Sequence, residues 1–137
     1  MEEYNFENDV KVFGIHVSSF PSGISDAFDE LIKKTGDCAG ARDYYGISEF
    51  TNGKMVYHAV AAEKFKGESE NYNYEKLTIE KGRYASATVF NWREKTDCIK
   101  DVFNEIMQDQ RVDKTKPAVE WYKDDNEMMC LVKMKES

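Results

Sequence analysis

One short segment concentrates the chemistry of this chain: Lys116-Pro117-Ala118-Val119-Glu120-Trp121-Tyr122. It sets a single carboxylate among aliphatic and aromatic neighbours. Strand alternation places Ala118, Glu120 and Tyr122 on one face, and Val119 and Trp121 on the other. Taken alone, Glu120 reads as solvent-facing, because Glu is rarely buried without a partner. Facing an aromatic cleft instead, the same carboxylate would be under-solvated and would pair with a cation or take up a proton. A second cluster is Tyr84, Phe90 and Trp92. Tyr84 opens a strand after Lys81-Gly82-Arg83, and Phe90-Asn91-Trp92 closes it. Phe90 reads as core. Trp92, flanked by Asn91 and Arg93, reads as the rim or lining of a pocket.

Other reactive side chains carry less. Cys38, Cys98 and Cys130 are odd in number, far apart and lack a CxxC pair, which fits reduced thiols. Cys98 and Cys130 read as small buried hydrophobes. His58 alternates with Val56 and Val60, as a core histidine does, with pocket lining as the alternative. Neither His16 nor His58 has a Cys or His at ligand spacing, so no metal site is expected, and no cofactor. The chain has no GxGxxG, P-loop, GxSxG or HExxH motif.

Composition bounds the rest. The 137 residues carry a net charge of −7, which repels phosphate and argues against direct nucleic-acid binding. No stretch approaches the roughly 20 apolar residues of a membrane helix. The acidic, polar start MEEYNFENDV is not a secretory signal, so a cytoplasmic location is expected. The chain holds 8 Tyr and 2 Trp, residues favoured where a surface is half apolar, as in pockets.

The elements that must position these groups repeat. A helix is expected over Ser22–Thr35, with Ser22 able to cap it and Gly36 at its end. A second is expected over Lys95–Gln110. The apolar stripe Ile24, Ala27, Phe28, Leu31, Ile32 returns 75 residues later as Ile99, Val102, Phe103, Ile106, Met107. A strand precedes each helix, Val10–Val17 and Arg83–Phe90. A hairpin follows each. The first joins Tyr44–Phe50 to Met55–Ala62 through Thr51-Asn52-Gly53. The second joins Ala118–Tyr122 to Met128–Met134 through Lys123-Asp124-Asp125-Asn126. The fold expected is α+β: two tandem β-α-β-β units with pseudo-twofold symmetry, an antiparallel sheet and two main helices. The half-units span about 10–63 and 75–135 of one domain, and 64–74 is a linking loop that leads into Leu77-Thr78-Ile79.

The ordered set of Tyr45-Gly46-Ile47, Tyr57, Leu77 to Ala85 with its Gly82-Arg83-Tyr84-Ala85, and Pro117 to Tyr122 resembles the GyrI-like small-molecule-binding domain. That domain is the effector-binding part of many AraC-type and MerR-type regulators and also occurs as free-standing proteins. The resemblance covers about Val10 to Met134. It implies a ligand cleft between the halves, with Glu120 in an aromatic pocket lined by Tyr45, Tyr57, Tyr84, Trp92 and Tyr122. In many members a His-x-Gly-like turn follows the Gly-x-Tyr-Ala strand; here the strand ends in Val89-Phe90-Asn91-Trp92.

The leading functional reading is a free-standing binder of aromatic or cationic small molecules, for drug or toxin binding or effector sensing. The alternative implied by the resemblance is a hydrolase of electrophilic, cyclopropanoid natural products, with Glu120 as acid or base and Tyr57 or Tyr84 beside it. A third reading is an interaction protein whose acidic surface meets a basic partner. A DNA-binding regulator is disfavoured, because only about nine residues precede the first expected strand.

Overall fold

The computed structural model describes residues 2–18, 23–36, 42–51, 53–124 and 126–135. Eight strands form one antiparallel sheet: β1 (Glu2–Phe6), β2 (Val10–Val17), β3 (Tyr44–Thr51), β4 (Lys54–Ala62), β5 (Glu75–Ile79), β6 (Gly82–Phe90), β7 (Ala118–Tyr122) and β8 (Glu127–Lys133). Two helices, α1 (Ile24–Thr35) and α2 (Thr96–Met107), lie between β2 and β3 and between β6 and β7. The strand order is β1-β6-β8-β7-β3-β4-β2-β5. Exchanging each half's strands for the other's (β1 with β5, β2 with β6, β3 with β7, β4 with β8) reverses that order onto itself. The pseudo-twofold symmetry expected from the repeated stripes is therefore present in the sheet. It also crosses the halves over: β1 pairs with β6, and β5 pairs with β2.

α1 begins after Gly23, which carries no side-chain cap. The expected cap Ser22, and with it Cys38, Asn52 and Asp125, lies outside the described residues. Gly36 ends α1 in the left-handed region, φ 68°, as a C-terminal glycine does. Ala27 and Leu31 of α1 pack on Val17, Tyr57 and Ala59; Ile99 and Ile106 of α2 pack on Ala85, Cys130 and Val132. Both helices thus cover the same face.

The other face has its own core, with Phe6, Val12, Tyr45, Ile47, Tyr84 and Leu131 all buried. A flat sheet could not bury them. Tyr4 on β1 and Trp121 on β7 are three strands apart, yet their rings lie 5.4 Å apart. Flat spacing of about 4.8 Å per strand would put the backbones roughly 14 Å apart. The sheet therefore curls into a half-barrel.

Several sequence expectations need correction. The N-terminal segment is an edge strand, whose signal was the alternation of Tyr4 and Phe6 with Glu3 and Asn5. Phe90 is exposed, because Val89 takes the helix-facing position at the strand's end. Cys98 is exposed on α2, while Cys130 is buried as expected. The linking loop is more than a connection: it holds a short 3-10 turn, Glu68–Asn71, whose Glu68 and Ser69 are buried. No described helix is long and apolar enough to cross a membrane.

Candidate functional site

The site grows from the central strand pair β3–β7, on the face covered by the helices. Alternation in β7 sends Ala118 and Tyr122 toward the helices and Val119 and Trp121 to the opposite core. Glu120 shares the helix-side face. The solvent-facing reading of this residue is overturned: it is part-buried and hydrogen-bonded within the protein.

Two phenols hold its carboxylate. Tyr57 donates to Glu120 Oε1 at 2.7 Å, and Tyr122 donates to the same oxygen at 2.8 Å. The two hydroxyls are 3.4 Å apart. Tyr57 belongs to β4, two strands from β7, so its side chain must cross β3. It crosses at Gly46, whose backbone partner on β7 is Glu120. A Cβ at that position would stand 2.0 Å from the Tyr57 hydroxyl and 2.6 Å from Glu120 Oε1. The glycine of Tyr45-Gly46-Ile47 is thus the passage through which Tyr57 reaches the carboxylate. Gly46→Ala is expected to lower stability by about 1–3 kcal/mol, the usual cost of overpacking. It should also part Tyr57 from Glu120, which a chemical melt and a Tyr57 hydroxyl NMR signal would report together.

Aromatic rings close around the triad. The Tyr122 ring lies 5.3 Å from Phe28 of α1 and 4.9 Å from Trp92, both edge-to-face. Phe28 also meets Tyr44 edge-on at 6.2 Å. Trp92 starts a short 3-10 turn after Asn91, which adopts the left-handed region at φ 56°. Its indole donates to the Asp124 carbonyl at 2.9 Å, tying it to the β7–β8 turn. The Val89-Phe90-Asn91-Trp92 ending therefore serves to swing Trp92 back over Tyr122.

The electrostatics follow from burial. Desolvation pushes the Glu120 carboxyl above its ordinary value of 4.5, against the pull of the Tyr57 and Tyr122 hydrogen bonds. Burial, then the charge of Glu120, pushes both phenols well up, so they remain donors at neutral pH. Among the described residues no Lys, Arg or His forms an ion pair with Glu120. Cys130, the β8 partner of Glu120, is buried and pushed up to about 12 by desolvation first and Glu120 second. It is no thiolate nucleophile at neutral pH.

Of the expected site residues, Glu120, Tyr57, Tyr122 and Trp92 come together. Tyr45 and Tyr84 do not: both lie in the opposite core, Tyr45 beside Trp121 and Tyr84 beside Phe6. Alternation explains this, since Tyr45 neighbours Gly46 and so faces away from Glu120. Tyr84 accordingly cannot assist Glu120. Phe28 and Tyr44 are the site residues the sequence reading missed; Phe28 was absorbed into the helix stripe as core. His16 and His58, distant in sequence, are opposed across β2 and β4 with rings 5.3 Å apart, and His58 Nε2 bonds the Glu75 carboxylate. Among the described residues no group of three or more His, Cys, Asp or Glu is arranged to hold a metal ion.

No protein-family model matches the chain, and no curated protein matches it in sequence. Solved structures do match in fold. An integron cassette protein from the mobile metagenome of Vibrio cholerae superposes with a TM-score of 0.69 at 12% identity, covering 98% of this chain and 95% of its own. SAV2435, solved bound to tetraphenylphosphonium, gives 0.69 at 15% identity, covering 98% and 93%. A candidate transcription regulation protein from Staphylococcus aureus MU50 gives 0.62 at 15%, covering 96% and 97%. These identities establish a shared α+β half-barrel and nothing finer.

Proposed function

We propose that this chain is a small-molecule-binding protein of the GyrI-like kind that takes aromatic cations between its two helices. The observation that carries the reading is Glu120: a part-buried carboxylate held by two phenols, ringed by aromatic side chains and, among the described residues, in no ion pair with a protein cation. Such a group attracts a ligand that brings its own positive charge and a flat apolar body. The neighbour bound to tetraphenylphosphonium, a lipophilic aromatic cation, supports the same ligand class. The two halves act together as one ligand-binding domain, since Phe28, Tyr44 and Tyr57 come from the first and Glu120, Tyr122 and Trp92 from the second.

Calorimetric titration with tetraphenylphosphonium and neutral triphenylphosphine oxide tests the reading. Preference for the cation supports it, and equal affinity for both removes it. The pH dependence has a definite sign. Cation affinity falls as pH drops through the raised Glu120 value, above the ordinary 4.5, because protonation removes the charge. Stability of the unliganded protein moves oppositely. The unfolded chain ionises Glu120 more readily, so this residue's contribution to stability rises as pH falls through the same window. Titrations and melts at matched pH values would show the two curves crossing in direction.

The hydrolytic reading rests on the same Tyr57–Glu120 contact at 2.7 Å, which could place a protonatable carboxyl beside an electrophile. Incubation with a cyclopropanoid electrophile, followed by mass spectrometry, separates the two: unchanged compound after demonstrated binding leaves the binder alone.

A further inference from the structure

We propose a second ligand site on the face away from the helices, specific for small apolar monocarboxylates. It is a cavity of about 160 Å³. Its floor is apolar, formed by Ile47, Ile79 and Val119 of the second core, with Pro117 beside them. Its polar edge carries two ammonium groups, Lys116 and Lys133, which converge on one oxygen of Glu80 at 3.1 and 3.2 Å. Lys133 is almost wholly buried, its side chain 9% exposed, whereas half of the Glu80 side chain is open. The Tyr84 hydroxyl, bonded to the Glu80 carbonyl at 2.7 Å, lies at the same edge.

The chemistry is the opposite of the Glu120 site. An apolar cavity of about 150 Å³ is large enough for one benzene ring. Two fixed ammoniums above an apolar floor recognise an anion with a compact hydrophobic body. Glu80 already occupies the position such a carboxylate would take. The hydrogen bonds of Lys116 and then Lys133 hold its carboxyl below the ordinary range, which marks the edge as electropositive. Lying at a half-open position just after β5, Glu80 is placed to swing into solvent and yield the two ammoniums to a ligand. It is a tethered competitor.

Benzoate and its neutral counterpart benzamide are the probes, titrated by ligand-observed NMR and calorimetry. Benzoate is expected to bind at least about tenfold more tightly than benzamide, the size of one charge-assisted hydrogen bond. Lys116→Met should weaken benzoate about tenfold, and Glu80→Gln should tighten it, because the competing charge is gone. Neither change should alter tetraphenylphosphonium binding. Glu120→Gln should leave benzoate unaffected, so failure here and failure at the helix-side site are told apart. Lys116 is part-exposed, so its variant should fold, and Glu80→Gln reads the site by a gain rather than a loss. Equal affinity for benzoate and benzamide, no benzoate binding, or loss of benzoate in Glu120→Gln would overturn the assignment.

Discussion

Glu120→Gln binds tetraphenylphosphonium roughly 30-fold more weakly or worse, while triphenylphosphine oxide changes by no more than about threefold. The expectation comes from what the substitution keeps. Both phenols donate to the same oxygen, Oε1. A glutamine carbonyl can accept both, so Tyr57, Tyr122 and the aromatic ring set stay in place. Only the charge leaves. A buried charge pair that loses one partner loses about 2 kcal/mol or more, whereas a neutral ligand of like shape never used the charge. The unliganded variant should melt at or above the wild type at neutral pH, because the ionised carboxyl is disfavoured by its burial. Weaker cation binding together with undiminished stability distinguishes charge pairing from loss of structure. Equal weakening of both ligands would falsify the role given to Glu120.

Arg42→Met lowers stability by about 3–5 kcal/mol, the largest loss expected for a single change in this chain, with a melting shift of roughly 10–20 °C. The Arg42 guanidinium meets Glu68 through both terminal nitrogens, at 2.6 and 2.8 Å, and both side chains are nearly inaccessible. Arg42 also donates to the Ala62 carbonyl, and its guanidinium lies 5.7 Å from the Phe13 ring centre. Glu68 accepts from the Lys64 amide at 2.7 Å. Removing the arginine leaves a buried carboxylate without its paired guanidinium, which is worse than removing the pair together. Arg42→Met combined with Glu68→Leu should therefore recover part of the loss. The pH sign follows from Glu68, whose carboxyl is held below its ordinary 4.5 by the Arg42 hydrogen bond first. That stability is present above the unfolded value and is lost as pH falls through the folded one. Melts of wild type and variant should converge in strong acid and diverge above about pH 5.

The alternation of Ala118-Val119-Glu120-Trp121-Tyr122 sorted the faces of β7 correctly, because a strand's period is a local property of the backbone. The same rule, applied to Tyr45 beside Gly46, would have removed Tyr45 from the Glu120 cluster; the resemblance had grouped the tyrosines together. The apolar stripes of α1 and α2 were equally legible, since a helix writes its buried face at a spacing of three and four. Their equivalence, offset by 75 residues, implied the pseudo-twofold arrangement once the strand before and the hairpin after each helix were read with it. Glu68 was not legible. A Glu in a polar loop looks solvated unless its partner is known, and Arg42 lies 26 residues away.

The sequence by itself determined the strand, helix and hairpin repeated in each half, without the leading strands β1 and β5, and the residue types able to form an aromatic site around a carboxylate. Only the tertiary structure decided which of them meet. Tyr57 reaches Glu120 across an intervening strand because Gly46 leaves the path open, and Tyr84, on the opposite face, is buried beside Phe6 because the sheet curls that face into a core. Such choices depend on strand pairing and curvature over 60 or more residues of separation, as between Tyr57 and Glu120. No local pattern of apolar and polar residues carries that information.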